Sequence, residues 1–390
     1  MKDFSEFRAQ MGIINNLTWL NHASVGPISN DVKNKWLELI ENMYSWGGDR
    51  LDLNEIGFGF PEVRRTISKY INCDPDEIAL TTSTSQGIST ILSGLDWIND
   101  KRGIIINDLE YTSNSFPYQQ IAKKFDIPIH IIKAKSIDGI KILDLIDFQN
   151  ILENNDIKII GISHVQFSNG FRINLPELIK LAHKNDARVI VDGIQSLGAL
   201  HWDVQDVPVD FLCTGGYKWI LGPAASGFLF IRKKLIEEVE PLFVGAFSDE
   251  NPFSFQHHDI TLAHTARRFQ PAHFPANKAL ATSLEIMMSL GTKCVENQIF
   301  KLIDYLVEHL KKEIPNILLE SPLNNENRSG ILRISFEGKN LEKIVFKLRV
   351  EKNISISFRA GALRISPHCY NTFEEMDHFI KSLKELLVLD

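Results

Sequence analysis

Two short apolar runs that each end in polar chemistry constrain this chain more than any other feature. Residues 188–191 run into a carboxylate at Asp192, and residues 210–213 run through Thr214 into Gly215-Gly216-Tyr217-Lys218. Apolar runs of this length, bounded by turn residues, read as strands buried on both faces, as in parallel sheets. In such sheets ligands collect at the carboxyl ends of the strands. An acid and an amine delivered there by consecutive strands can flank one ligand. A strand-end aspartate taken alone often caps the next helix, but that reading leaves a lysine on a glycine turn without a purpose.

A ring with a basic nitrogen, a hydroxyl and an aldehyde would meet these groups one by one. Asp192 would keep the ring nitrogen of pyridoxal 5'-phosphate (PLP) protonated, Gln195 would bond the ring hydroxyl, and Lys218 would hold the aldehyde as a Schiff base. A free lysine, with a pKa near 10.4, is almost wholly protonated at neutral pH, so Lys218 needs a lowered value to act as nucleophile and proton carrier. The phosphate needs a second site. Residues 78–80 form a strand leading into TTSTSQGISTILSGL, where the helix start at Thr84-Ser85 offers unpaired N–H groups and partial positive charge. Tyr111, after the strand 103–107, is an aromatic able to stack on a flat heterocycle. Gln166, after the strand 157–163, would face the cofactor's hydroxyl edge or the substrate. Arg364, in the apolar strand LRIS, suits bidentate recognition of an amino-acid carboxylate, with Arg359 as a second contact.

Strands alternating with amphipathic helical patterns at 60–71, 143–152 and 174–183 predict an α/β fold with a mostly parallel sheet. The stretch WILGPAASGFLFI ends in a strand that reads as an edge of the same sheet. From Asn277, helical patterns at 279–290 and 294–312, strands at 330–336 and 354–359 and a helix between them predict an α+β unit. A chain of 390 residues exceeds the size at which one core stops growing. The expected division is an N-terminal arm at 1–18, a large PLP-binding domain at 19–260 and a small C-terminal domain at 261–390.

In this order, from about Leu20 to the C-terminus, these motifs resemble the class V aminotransferase family, the fold-type I PLP enzymes that include cysteine desulfurases, kynureninase and isopenicillin N epimerase-like proteins. The match takes in Glu110-Tyr111, Asn114 and Pro117-Tyr118 together. The resemblance implies a seven-stranded-type sheet in the large domain and a homodimer. It also implies that TWLNHASVGPIS lines the substrate pocket with His22, that Gly215 and Tyr217 join Thr84 and Ser85 around the cofactor, and that RRFQPAHFP brings His273 to a phosphate across the dimer. Persulfide-carrying desulfurases place a longer, cysteine-bearing loop between the positions of Arg359 and Arg364, and this chain has no cysteine there. The family default is an aminotransferase acting on a small amino acid. A C–S lyase or desulfurase-like activity and an epimerase-like one stand behind it, and a non-catalytic PLP-binding protein is the distant alternative.

Formal charge is −7, with no long basic block, which gives no electrostatic support for a nucleic-acid or membrane-surface partner. No apolar run approaches the length of a membrane span. Four scattered cysteines form no CxxC pair, so neither a disulfide frame nor a metal is expected and a cytoplasmic location fits. The loop histidines His257, His258 and His264 read as polar lining. Neither a GxxxxGK[ST] loop nor an early GxGxxG is present, which argues against nucleotide and dinucleotide folds.

Overall fold

A computed structural model describes residues 3–47, 49, 50, 52, 57–253, 259–272 and 274–389. Its centre is a seven-stranded sheet made of β1 (Ile78–Thr81), β2 (Gly103–Asn107), β3 (Ile129–Ile132), β4 (Ile157–Ser163), β5 (Arg188–Asp192), β6 (Phe211–Gly215) and β7 (Gly227–Ile231). The spatial order is β1-β7-β6-β5-β4-β2-β3. All neighbours are parallel except β7, which runs antiparallel to both β6 and β1. The GFLFI strand is therefore interior, not the edge expected from sequence. Both of its sides are hydrogen-bonded and all five of its residues are buried, and an uninterrupted apolar run is the pattern such a position requires.

Alternate side chains of these strands fill two cores. On β2, Ile105 faces one cluster while Ile104 and Ile106 face the other, and on β5 Val189 and Val191 oppose Ile190. This is the period-two alternation of a pleated strand with helices on both faces. Proline at the first turn and an αL residue at the C-cap bound the helix Pro61–Ile71. The helix Asn30–Trp46 begins at a Ser29 cap and ends at Gly47 in the left-handed region. It buries only part of its apolar surface, leaving Leu37, Ile40, Met43 and Tyr44 exposed.

A second core surrounds a four-stranded sheet with the order Leu318–Leu319, Leu332–Ser335, Ala362–Ile365, Ser357–Arg359. The helix Thr292–Glu313 joins the two cores, with Val295 and Ile299 in the large one and Leu302 to Leu310 in the small one. The helix Ala276–Leu290 packs with the large core through Leu280, Leu284 and Met287. The stretch expected as one strand at 354–359 divides. Ile354 and Ser355 pair with Thr18 and Trp19, whereas Ser357–Arg359 pairs with Ala362–Ile365 through a turn at Ala360-Gly361. Its first half thereby ties the N-terminal segment to the small unit. Among the described residues, no helix is long and apolar enough to cross a membrane.

Candidate active site

The parallel register of the central strands brings their carboxyl ends level. Ser163 on β4 pairs with Asp192 on β5, and Asp192 with Cys213 on β6. Five residues beyond Cys213 the turn delivers Lys218 into the same cleft as Asp192. Thr84, Ser85, Tyr111, Phe167, Gln195 and Tyr217 line that cleft with them.

Both charged groups are buried. Loss of hydration pushes the Asp192 carboxyl up, against the opposing Ile194 N–H bond to its Oδ1 at 2.9 Å and the positive charge of Lys218. The same burial pushes the Lys218 ammonium down, against the pull of Asp192 and with the help of Arg364 and Arg359. Lys218 Nζ lies 5.9 Å from the ring centres of both Tyr111 and Tyr217. An amine so placed is easier to deprotonate than a solvated one, which the sequence required of it.

Also lining the cleft, the helix Thr84–Gly94 begins with Ser83 as its cap, accepting from Gln86 N–H. Thr84 Oγ1 accepts from Gly215 N–H at 2.9 Å, so this hydroxyl locks the helix start to the lysine turn. Ser85 and the first-turn N–H groups are what remains for an anion. Tyr111 is 49% exposed and its ring meets Phe167 edge to face at 5.2 Å, which leaves a face for stacking. Gln195 is committed more than expected: its Oε1 accepts from Trp219 Nε1 and its Nε2 donates to Ala23 O, leaving one N–H for a ring hydroxyl.

Gln166 does not line this cleft. It is fully buried, its Nε2 donates to Glu110, and its Oε1 has no partner among the described residues. His22 is likewise turned away: Nδ1 bonds Ser366 O at 2.9 Å and Nε2 bonds Tyr370 hydroxyl at 2.8 Å. A carbonyl only accepts, so Nδ1 carries the proton and the tyrosine donates to Nε2. Burial and neighbouring His368 hold this imidazole well below its usual value. It knits chain segments together and offers no free nitrogen to a substrate. His273 lies outside the described residues, as do His257 and His258, and His264 bonds Glu237 at the surface.

Arg364 is buried between the two units. Its Nε donates to Ser357 Oγ at 3.1 Å, Nη1 to Phe167 O at 2.7 Å and Nη2 to Ser24 Oγ at 2.6 Å. All three acceptors are neutral, and burial with nearby Arg359 lowers the guanidinium to about 9. Such a cation is matched to an incoming carboxylate. Arg359 is exposed, and its Nη1 donates to the Phe358 carbonyl.

Two residues at the site carried no sequence signal of their own. Glu110 accepts from Asn107, Asn114, Gln166 and both the N–H and hydroxyl of Ser163, tying the ends of β2 and β4 to the helix behind Tyr111. Only its place beside Tyr111 in the family resemblance pointed to it. Phe167 serves Arg364 through a main-chain carbonyl, which no side-chain pattern encodes.

This architecture is that of the fold-type I PLP enzymes, and the cleft holds an amine, a buried acid, a helix start and an exposed aromatic in one place. The family model for Aminotransferase class-V matches residues 52–379, and the chain belongs to that family. A probable cysteine desulfurase of Pyrococcus abyssi is 28% identical over 354 residues, covering 84% of this chain and 83% of the relative. An uncharacterized aminotransferase of Bacillus subtilis is 25% identical over 323 residues, covering 82% of each. A solved structure of the cystine C–S lyase C-DES in complex with its reaction product cysteine persulfide superposes with a TM-score of 0.85 at 23% identity, covering 96% of this chain and 99% of that one.

Proposed function

We propose that this protein is a PLP-dependent lyase that breaks the Cβ–S bond of a small sulfur amino acid of the cystine or cysteine type. The observation that carries the reading is one cleft holding a buried carboxylate, Asp192, and a buried amine, Lys218, next to an arginine, Arg364, whose acceptors among the described residues are all neutral. The residues fit the cofactor. Asp192 would face its ring nitrogen, Lys218 its aldehyde, the N–H groups at Thr84-Ser85 its phosphate, Tyr111 its ring and the remaining Gln195 N–H its hydroxyl. When bound, PLP supplies an electron sink for charge developing at the substrate Cα.

Lys218 Nζ takes the Cα proton, and its burial is what makes a neutral amine accessible there. Arg364 fixes the substrate carboxylate and so aims the Cα–H at the lysine. Among the described residues no cysteine lines the cleft: Cys213 is packed into the sheet, Cys369 is buried, and the turn at Ala360-Gly361 carries no thiol. Sulfur then leaves on the substrate fragment and not through an enzyme thiol. This favours the second of the activities expected from the sequence over the aminotransferase default, as do the names of the relatives. Aminotransfer is the second reading, favoured by the Bacillus subtilis relative's name.

We further propose that cofactor binding falls to the large unit and carboxylate capture to the small one. The protein would work as a cytoplasmic homodimer that covers the exposed apolar face of Asn30–Trp46. The test is to incubate PLP-loaded protein with L-cystine and L-cysteine, with and without a keto acid, and to assay pyruvate, ammonia and sulfur. Pyruvate and ammonia in equal amounts, independent of keto acid, are expected. Products that form only when a keto acid is consumed would establish aminotransfer instead.

A further inference from the structure

Residues 21–26 cross from the small unit to the lysine turn. At one end Asn21 bridges Ser366, and Ala23 N–H donates to Ser366 Oγ at 3.0 Å. At the other, Gly26 N–H donates to Tyr217 O at 2.8 Å, while Ala23 O accepts from Gln195 Nε2 at 2.9 Å. On the segment's side these ties are all made by main-chain groups, so none of them depends on the Ser24 side chain. Between the anchors, Ser24 Oγ accepts from Arg364 Nη2.

A guanidinium has five N–H groups. Arg364 spends one on Ser357, one on Phe167 O and one on Ser24. One N–H remains on each terminal nitrogen, and an end-on carboxylate in two parallel bonds needs one from each. Ser357 belongs to the strand paired with Arg364 itself and fixes only the Nε end. Phe167 and Ser24 set the roll of the far end. Of these two, Ser24 alone acts through a side chain, and it sits on the segment that abuts the Lys218 turn.

We propose that Ser24 sets the affinity of this site for a substrate carboxylate, as a positioning residue acting through Arg364. The inference rests on the reading of Arg364 as the carboxylate receptor. Two amines separate the roles. 2-Aminoisobutyrate carries the carboxylate but no Cα hydrogen, so it binds without turnover, and isopropylamine is the same amine without the carboxylate. Each is titrated into PLP-loaded protein and its Kd is read from the cofactor absorbance.

In Ser24→Ala, 2-aminoisobutyrate should bind about tenfold to 150-fold more weakly, the range for a hydrogen bond to a charged group, while isopropylamine is unaffected. Ser24→Thr keeps the hydroxyl and should restore most of the affinity. Unchanged 2-aminoisobutyrate binding in Ser24→Ala overturns the proposal, and so does an equal loss for both amines, which would mean a general loosening. Arg364→Ala is the control. If it binds 2-aminoisobutyrate like wild type, the reading of Arg364 fails; if it loses binding and Ser24→Ala does not, only the role of Ser24 fails.

Discussion

Gly26 leaves no room for a side chain against Lys218: a Cβ at residue 26 would lie 1.9 Å from the Lys218 carbonyl oxygen and 2.7 Å from Leu221 Cδ2. A backbone oxygen cannot yield unless the turn that carries the lysine moves with it. Gly26→Ala should therefore cost about 1–3 kcal/mol of stability, as overpacking in a closed site does. It should also lower kcat by about tenfold or more, because a displacement near 1 Å at a reacting group is expensive. Thermal denaturation and steady-state kinetics check this. A variant with wild-type Tm and kcat would mean that the turn has slack.

The raised pKa of Asp192 makes the stability of the cofactor-free protein depend on pH. Burial lifts this carboxyl from 3.8 to about 7, so between those values the folded state holds a proton that the unfolded state has lost. Its contribution is fully present below about pH 4 and fades as pH rises through 7. Asp192→Asn mimics the protonated form at every pH. The apo variant should be more stable than apo wild type at pH 8, with the difference shrinking towards pH 5. Parallel Tm-against-pH curves for the two proteins would refute this.

Removing Arg364 should act on binding before chemistry. Arg364→Ala takes away the cation and leaves Ser357 Oγ, Phe167 O and Ser24 Oγ without their donor. KM for the amino-acid substrate is expected to rise about thirtyfold or more, the scale for breaking a buried charged pair. Arg364→Lys should not rescue it, since an ammonium cannot reproduce the planar fork. A lysine variant with wild-type KM would argue for simple charge attraction.

Glu110 holds three chain segments through one carboxylate, so its loss should be felt in folding and in cofactor retention together. Glu110→Ala strands donors from Asn107, Asn114, Ser163 and Gln166. A cost of about 3 kcal/mol or more is expected, given about 1–3 kcal/mol for each buried group left unsatisfied. Glu110→Gln, with one acceptor oxygen in place of two, should fall between. Denaturant titration and the rate of PLP loss on dilution measure both effects, and an alanine variant as stable as wild type would show that water replaces the network.

The legible part of the site was local. Asp192 and Lys218 stand at the ends of apolar runs that can only be buried strands, and Arg364 stands inside a third. A lone charge at the end of such a run can cap the next helix, but an acid and an amine on neighbouring strand ends favour a ligand between them. The expected contacts that did not reach the cleft, Gln166 and His22, lie in loops whose direction depends on partners far along the chain. Gln166 is drawn to Glu110, 56 residues away, and His22 to Ser366 and Tyr370.

By itself the sequence determined the strand-helix alternation, the acid and amine at the carboxyl ends of strands and the arginine in the C-terminal unit, because each is written in apolar periodicity and in the residue that interrupts it. Tertiary structure decided the interior, antiparallel place of β7, the division of the 354–359 stretch between two partners, the Glu110 network and the seat of Ser24 on Arg364. Those features are pairings between segments tens to hundreds of residues apart. A periodic pattern records which face of a strand is buried and not which strand will lie beside it.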